Sequence, residues 1–182
     1  MIGPVGRFIA VVKEYCAWAE GTPGSKSEEV ETAIRLVANL YASALLLHSS
    51  LLDLPDPNPA DNVDDNYRIS HSEWTAIHKR FGALPFNYYH VFSSPTKLKT
   101  GRPEEAEAVI GDLADDLADI YRDLKEGLLL YENGRIAEAI WHWNHDFYAH
   151  WGEHASSALY ALHSYDSENE DEYNELMGFE GA

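Results

Sequence analysis

The stretch G-D-L-A-D-D-L-A-D-I-Y-R-D-L-K-E, from Gly111 to Glu126, decides the fold. At about 100° per residue, an α-helix would sort its side chains onto two faces. One face is apolar and continues one turn further: Leu113, Leu117, Ile120, Leu124 and Leu128. The other face is acidic: Asp112, Asp115, Asp116, Asp119 and Asp123. The pattern therefore predicts an amphipathic helix with an acidic stripe.

This helix is predicted to form a hairpin with the segment that follows it. Pro103 suits the first position of a helix, and the pattern then continues without a breaker to Tyr131. Asn133 and Gly134 provide the stop signal, and Ile136 to His163 is predicted to be the last long helix. A turn of only about three residues makes two such helices antiparallel neighbours.

The remainder of the chain also follows a helical period, with two less regular regions. Apolar residues recur at three-and-four spacing from Phe8 to Trp18, and again from Val30 to about His48. A shorter helix is predicted through Glu73 to Phe81, and one or two helical turns through Phe86 to Phe92. We find no β-hairpin signal. The predicted fold class is all-α: a single-domain bundle of five or six helices.

The acidic residues are distributed unevenly around this bundle. Residues 1–163 form the predicted helical domain, interrupted by a proline-rich loop at 53–65 that carries five acids and no base. Residues 164–182 are predicted to be a flexible acidic tail, with seven acids and no base. Within the ordered helices, the acidic stripe is therefore the main concentration of charge.

The formal net charge of −18 limits the classes of partner. It argues against nucleic acid and anionic membranes as partners, because the long-range field would repel them. No stretch reaches the roughly 18 apolar residues of a membrane span, and a lone cysteine, Cys16, cannot form an internal disulfide. We therefore expect a cytoplasmic protein whose partner is another protein, and the charge is compatible with a basic partner.

The candidate functional site combines the acidic stripe with the segment W-H-W-N-H-D-F-Y-A-H-W-G-E-H-A, from Trp141 to Ala155. His150 and His154 are four residues apart and so project on one helical face. In the predicted hairpin, positions equidistant from the turn lie level with each other. Asp119 would be level with His150, and Asp115 or Asp116 with His154.

The predicted proximity of these aspartates and histidines has two interpretations, and both remain open. The first, which we favour, is a structural polar seam of ion pairs that needs no cofactor. The second is a site for Zn, Mn or Fe between facing helices, although the Glu-x-x-His pairs of di-iron bundles are missing. Its ligand set would be His150, His154, Asp115, Asp116 and Asp119. Arg122 would then hold an anionic substrate.

One literal motif match has a weaker basis. His150-Trp151-Gly152-Glu153-His154 fits the H-x-x-E-H string of inverted zinc proteases, in which a glutamate is the general base. Only 28 residues follow His154, too few for the later helix that supplies another ligand in such enzymes. We attribute the match to chance.

Several of these segments together resemble a known family. They are L-A-D-D-L-A-D-I-Y-R-D-L (Leu113 to Leu124), G-L-L-L-Y-E (Gly127 to Glu132), A-I-W-H-W, and H-W-G-E-H-A ending at Ala155. The chain resembles, from about Phe8 to His163, a bacterial family of small all-helical proteins catalogued as a domain of unknown function. The resemblance implies an all-α fold and a cytoplasmic bacterial origin, and it implies no activity.

Three functional hypotheses follow from the sequence. The leading one is a non-enzymatic cytoplasmic accessory or protein-interaction protein, because no complete catalytic set is apparent. The second is a metal-dependent, hydrolase-like enzyme that uses the Asp/His site. The third is an acidic decoy that neutralises a basic partner.

Overall fold

The structure, a computed structural model, describes residues 3–47, 67–92 and 107–177. These residues form six α-helices: α1 Pro4–Glu20, α2 Lys26–Leu47, α3 His71–Phe81, α4 Leu113–Glu132, α5 Ile136–Asp146 and α6 Gly152–Met177. A π-helical turn, Phe147–Trp151, joins α5 to α6. Two short strands, β1 Tyr88–Phe92 and β2 Ala108–Asp112, complete the described part. The all-α prediction is confirmed.

Helix α4 occupies the centre of the bundle and packs against α1, α3, α5 and α6. The apolar stripe read from the sequence is its buried face, on which Leu117, Ile120 and Leu124 are fully inaccessible to solvent. A buried hydrogen bond also fixes α1 to α4, because the Tyr15 hydroxyl donates to the Leu117 carbonyl oxygen at 2.9 Å. Burial on several sides makes α4 the element against which the others are positioned.

The predicted antiparallel hairpin of the last helices is confirmed. Gly134, at a φ of +80°, makes the turn between α4 and α5, a conformation that favours glycine. The Trp143 indole N–H then reaches back to the Leu124 carbonyl oxygen at 3.0 Å. Its ring lies directly against the Cα of Gly127, where a larger side chain has no room. This contact fixes how closely the two helices approach each other.

Two predictions around the strands are wrong. Phe86 to Phe92 was predicted to be helical, but Tyr88–Phe92 is a strand that pairs antiparallel with Ala108–Asp112. Aromatic and β-branched residues alternate here between half-buried and exposed positions, which suits a strand. Gly111 allows the pairing, since any side chain there would overlap the Tyr89 ring. The expected absence of a β-hairpin was therefore an error.

The predicted start of the α4 helix at Pro103 is also wrong. Helix α4 begins at Leu113. The residue before it, Asp112, is the last residue of β2 and pairs with Tyr88, the first residue of β1. The Asp112 carboxylate accepts hydrogen bonds from the backbone N–H groups of Ala114 and Asp115, which is the geometry of an N-cap. Pro103 itself lies outside the described residues.

The last helix differs from its prediction in two ways. The single helix predicted from Ile136 to His163 is interrupted by the π turn, and α6 runs beyond His163 to Met177. The first turn of the predicted tail contacts the fold, because Tyr165 stacks on Phe86 at 4.9 Å between ring centroids. The predicted proline-rich loop at 53–65 lies outside the described residues.

Helix α2 is the one described helix that is long and apolar enough to cross a membrane by length and composition. It lies near the N-terminus, and Leu36, Val37 and Leu40 on one of its faces are completely buried in the core. Core helices of soluble proteins commonly have this composition. The fold is thus compatible with a soluble protein.

We expect Gly127→Ala to lower the free energy of unfolding by about 2 kcal/mol. Overpacking against Trp143 costs about 1–3 kcal/mol, and disturbing the Trp143 hydrogen bond costs about 1 kcal/mol. The higher helix propensity of alanine compared with glycine offsets about 1 kcal/mol of this loss. Denaturant unfolding followed by tryptophan fluorescence measures the difference.

Gly82→Ala is the matched control for this prediction. Gly82 has right-handed helical angles, and a Cβ there would make only ordinary van der Waals contacts. Its stability should be unchanged or raised by up to about 1 kcal/mol. Equal losses in both variants would contradict the role assigned to the Gly127 and Trp143 contact.

Candidate metal centre

Three aspartates of α4 are buried on the side that faces α6. Asp116, Asp119 and Asp123 expose only 7%, 9% and 7% of their surface. They are three and four residues apart, which places them along one face of the helix. Buried carboxylates are destabilising unless charged or hydrogen-bonding partners surround them. The partners of these three define the candidate site.

Two of the carboxylates bind one histidine each. Asp123 Oδ2 lies 2.7 Å from His150 Nδ1, and Asp116 Oδ1 lies 2.7 Å from His154 Nδ1. A carboxylate at this distance accepts the Nδ1 proton, so a neutral imidazole carries its lone pair on Nε2. Both rings are therefore oriented, and their Nε2 atoms become the free ligand atoms.

The third carboxylate meets both of these nitrogens. The two Nε2 atoms lie 3.3 Å apart, and Asp119 Oδ2 lies 3.5 Å from that of His150 and 3.6 Å from that of His154. Among the described residues, Asp119, His150 and His154 are the one group of histidine, cysteine and acidic side chains that converge in this way. Three electron-pair donors thus face a common point.

Asp119 is held in this position through its other oxygen. The Trp74 indole N–H donates to Oδ1 at 2.7 Å, and the Arg122 guanidinium lies 3.1 Å from the same atom. Asp116 has a second partner of its own, because the Tyr89 hydroxyl donates to its Oδ2. Helix α3 and strand β1 therefore both contribute a side chain that bonds to the carboxylates.

Burial and charge shift the pKa values of several of these groups. The hydrogen bond to Asp116 raises the pKa of His154 against the opposing effect of burial. Burial raises the pKa of the Asp123 carboxyl, although the hydrogen bond to His150 opposes this. Burial, followed by repulsion from Asp119, raises the pKa of the nearby Asp115 carboxyl. Each of these three shifts favours the protonated form of its group.

The π turn brings His150 to this group. In that turn Gly152 N–H reaches the Phe147 carbonyl oxygen, five residues earlier, and a side chain on Gly152 would overlap that oxygen. Within this turn His150 bonds to Asp123, which is nearer the hairpin turn than the predicted partner Asp119, and its Nε2 still lies 3.5 Å from Asp119 Oδ2. A glycine inside a helical pattern was the sequence signal for this irregularity.

The predicted site residues do not all have the same place in the structure. His150, His154 and Asp119 converge, whereas Asp116 orients His154 from behind. Asp115 lies beside the group but contributes no atom to the convergent set. Arg122 contacts Asp119 and approaches Asp123, with 3.7 Å between its Nε and Asp123 Oδ1.

Sequence reasoning missed three functional side chains: Asp123, Trp74 and Tyr89. Asp123 belonged to the acidic stripe, but the predicted register paired His150 with Asp119 and His154 with Asp115 or Asp116. Trp74 and Tyr89 were not among the predicted site residues, since no sequence signal placed α3 or β1 beside α4. Glu153, the general base of the protease string, is exposed and outside the convergent set.

Comparison with known proteins identifies the family. A family model described as "Domain of unknown function (DUF5063)" matches residues 4–168. The chain belongs to this family. The predicted resemblance to an uncharacterised family is thereby confirmed, and no curated protein matches the chain.

This chain has the same fold as a protein whose structure has been solved. That structure is the crystal structure of protein BF1032 from Bacteroides fragilis, with a TM-score of 0.61 and 19% sequence identity. The match covers 86% of this chain and 91% of that one. At this identity the likeness shows the fold alone, so any function must be argued from the side chains.

We expect the loss of the Asp116 charge to destabilise the metal-free protein more at low pH than at high pH. Because Asp116 raises the pKa of His154 in the folded state, the stabilisation is fully present below the unfolded value of about 6.5. It is lost as the pH rises through the folded pKa. Asp116→Asn should therefore lower the free energy of unfolding by about 1.5–3 kcal/mol at pH 5.5, and by less at pH 9.

Tyr89→Phe provides the control, measured in chelator by the same denaturant titrations at both pH values. It removes the hydroxyl that donates to Asp116 but keeps the carboxylate charge that acts on His154. Its destabilisation should be nearly the same at pH 5.5 and pH 9. If Asp116→Asn also showed no pH dependence, the coupling between Asp116 and His154 would be refuted.

Proposed function

We propose that this protein binds one divalent transition-metal ion through Asp119, His150 and His154, and that it is a metal-dependent, hydrolase-like enzyme. The observation that carries the proposal is the spacing of the three ligand atoms, 3.3 to 3.6 Å. Tetrahedral zinc with bonds of about 2.0–2.1 Å separates its ligand atoms by about 3.4 Å. The described side chains are thus already at the spacing of a coordination sphere.

The orientation of the histidines supports the same proposal. Each ring directs its Nδ1 to an aspartate, so two lone pairs and one carboxylate oxygen face one another across the centre. Such an arrangement is repulsive until a cation or a proton lies between the three atoms. Metal-binding histidines in proteins usually have this kind of carboxylate behind them, where it fixes the tautomer and raises the basicity of the ring.

The ligand types limit the choice of ion. Two imidazoles and one carboxylate suit Zn²⁺, Fe²⁺ or Mn²⁺ and do not favour Ca²⁺ or Mg²⁺, which prefer oxygen. Three protein ligands also leave at least one coordination position for water or substrate, the pattern of catalytic sites. The ion would lower the pKa of a bound water and polarise a substrate oxygen. Arg122, beside Asp119, would hold an anionic group of the substrate.

The test is metal titration of untagged protein that has been freed of metal with a chelator. We expect binding of one ion per chain by calorimetry, and a rise in thermal midpoint equivalent to about 2.7 kcal/mol when the free ion is at 100 times its Kd. His150→Ala and His154→Ala should each weaken metal binding by more than about 100-fold. Removal of a residue that only orients a ligand usually weakens metal binding by about 10- to 100-fold.

His145→Ala is the matched control for the two ligand variants. His145 lies on the adjoining α5, is largely exposed and pairs with Asp146 instead of the centre. Its removal should leave metal affinity and stoichiometry unchanged. The proposal fails if no ion binds, or if His145→Ala loses as much affinity as His150→Ala.

The supporting aspartates give a second, quantitative prediction. Asp123→Asn keeps the shape of the side chain but removes the charge that holds His150 Nδ1–H. We expect metal affinity to fall by about 10- to 100-fold while the stoichiometry stays at one. Calorimetry with a competing chelator measures this range, and an affinity equal to that of the unchanged protein would contradict the role of Asp123.

A protein-interaction role is the second candidate, and an exposed apolar surface favours it. Helices α2 and α6 line a cleft of about 570 Å³ with Ile34, Tyr41, Leu159 and Tyr160, the last of which is 67% exposed. Exposed patches of this kind often mark protein interfaces. We infer a cytoplasmic location for either function. If none of the metal-binding predictions above is confirmed, the interaction role becomes the better proposal.

A further inference from the structure

A small cleft adjoins the proposed metal centre on the side of α3. Ile69, His71, Trp74 and Arg122 line it, and its volume is about 350 Å³. This lies within the range of pockets that bind small molecules. The cleft is therefore large enough for one ring with a short polar substituent.

The cleft and the centre share the carboxylate of Asp119. Its Oδ1 accepts the Trp74 indole N–H and pairs with Arg122, both of which line the cleft. Its Oδ2 faces the two histidine nitrogens. The Asp119 side chain thus separates a ligand in the cleft from the metal position, and it contacts residues on both sides.

Two stacked aromatic rings line one side of the cleft. The His71 and Trp74 rings are nearly parallel, with 13° between their planes and 6.0 Å between their centroids. His78 also stacks on the indole, at 5.1 Å, so His71 is the ring of this stack that is exposed. Offset stacking of planar rings contributes about 0.5–1.5 kcal/mol beyond the burial of area. A planar ring in the ligand can extend the stack at His71 better than a saturated one.

Arg122 supplies the charge that the ligand would meet. Its side chain is 34% exposed, and its guanidinium has more N–H groups than its contacts with Asp119 and Asp123 use. The fork of a guanidinium matches a carboxylate in size and geometry. Arg122 can thus bind a carboxylate in the cleft while it keeps Asp119 in place.

The local charge favours a singly charged ligand. Asp116, Asp119 and Asp123 carry three negative charges, which Arg122 and a divalent ion together would balance. Asp115 beside them adds a further carboxyl group. A monoanion is compatible with such a nearly neutral or slightly acidic site, whereas a phosphate dianion is repelled more strongly.

We propose that this cleft binds an aromatic monocarboxylate as the substrate or product of the proposed metal centre. The ring would stack on His71, at the exposed end of the aromatic stack, and the carboxylate would pair with Arg122. This assignment deepens the proposed function and rests on it, since the metal ion supplies the charge balance and the reactive position.

The experiment measures benzoate binding to the full chain loaded with Zn²⁺, by calorimetry and by the NMR signal of the Trp74 indole N–H. Trp74→Phe assigns that signal among the five tryptophans. We expect benzoate to move it, and to bind at least tenfold more tightly than benzamide, which lacks the charge. Cyclohexanecarboxylate, which lacks the flat ring, and phenyl phosphate, which is a dianion, should also bind more weakly.

Arg122→Gln tests the guanidinium, and Arg35→Gln is its control. Arg35 forms an exposed ion pair with Glu14, remote from the cleft. Benzoate affinity should fall at least tenfold in Arg122→Gln and remain unchanged in Arg35→Gln. The proposal is overturned if Arg122→Gln binds benzoate as the unchanged protein does, or if phenyl phosphate binds more tightly than benzoate.

Metal content measured in the same samples separates the two proposals. If one Zn²⁺ binds per chain but benzoate does not, the cleft assignment fails and the metal centre stands. If no metal binds, the proposed function fails, and the cleft assignment as stated here fails with it. If benzoate still binds the metal-free chain through Arg122, the cleft alone is an anion site of a different function.

Discussion

The burial of three carboxylates on one central helix is the constraint on which the remaining structure depends. Asp116, Asp119 and Asp123 lie on α4, the helix that packs against α1, α3, α5 and α6. Removing such groups from water costs several kcal/mol each unless partners compensate. Every partner comes from another part of the fold or from Arg122 on the same helix. The positions of those elements are thus tied to the charge on α4.

These polar contacts explain the placement of the less regular elements. Trp74 ties α3 to Asp119, and Tyr89 ties β1 to Asp116. The π turn has a similar relation to Asp123, because it brings His150 within hydrogen-bonding distance. Among the described elements, α3, the first strand and the π turn thus each contribute one side chain to the acidic stripe.

The structural seam and the proposed metal site would be two states of one arrangement. Both would use the same pairs of histidine and aspartate, and they would differ in what lies between Asp119 and the two Nε2 atoms. A proton there would give an ion-pair network between the histidines and the aspartates. A metal ion there would give a centre with an open position near a cleft lined by Arg122 and Trp74. The carboxylates that stabilise the histidinium would equally raise the affinity of neutral imidazole for metal.

The sequence by itself determined the helical class, the α4–α5 hairpin and the facing of Asp119 with His150 and of Asp116 with His154, because periodicity and a short turn are local properties. It did not determine the strand pair, whose partners are about twenty residues apart and whose intervening residues 93–106 lie outside the described part. It also did not place Trp74, Tyr89 or Asp123 in the site. Only the tertiary structure decided these positions, because the approach of α3 and β1 to α4 follows from packing between distant segments. The glycine at 152 signalled an irregular helix, but it did not indicate which carboxylate His150 would contact.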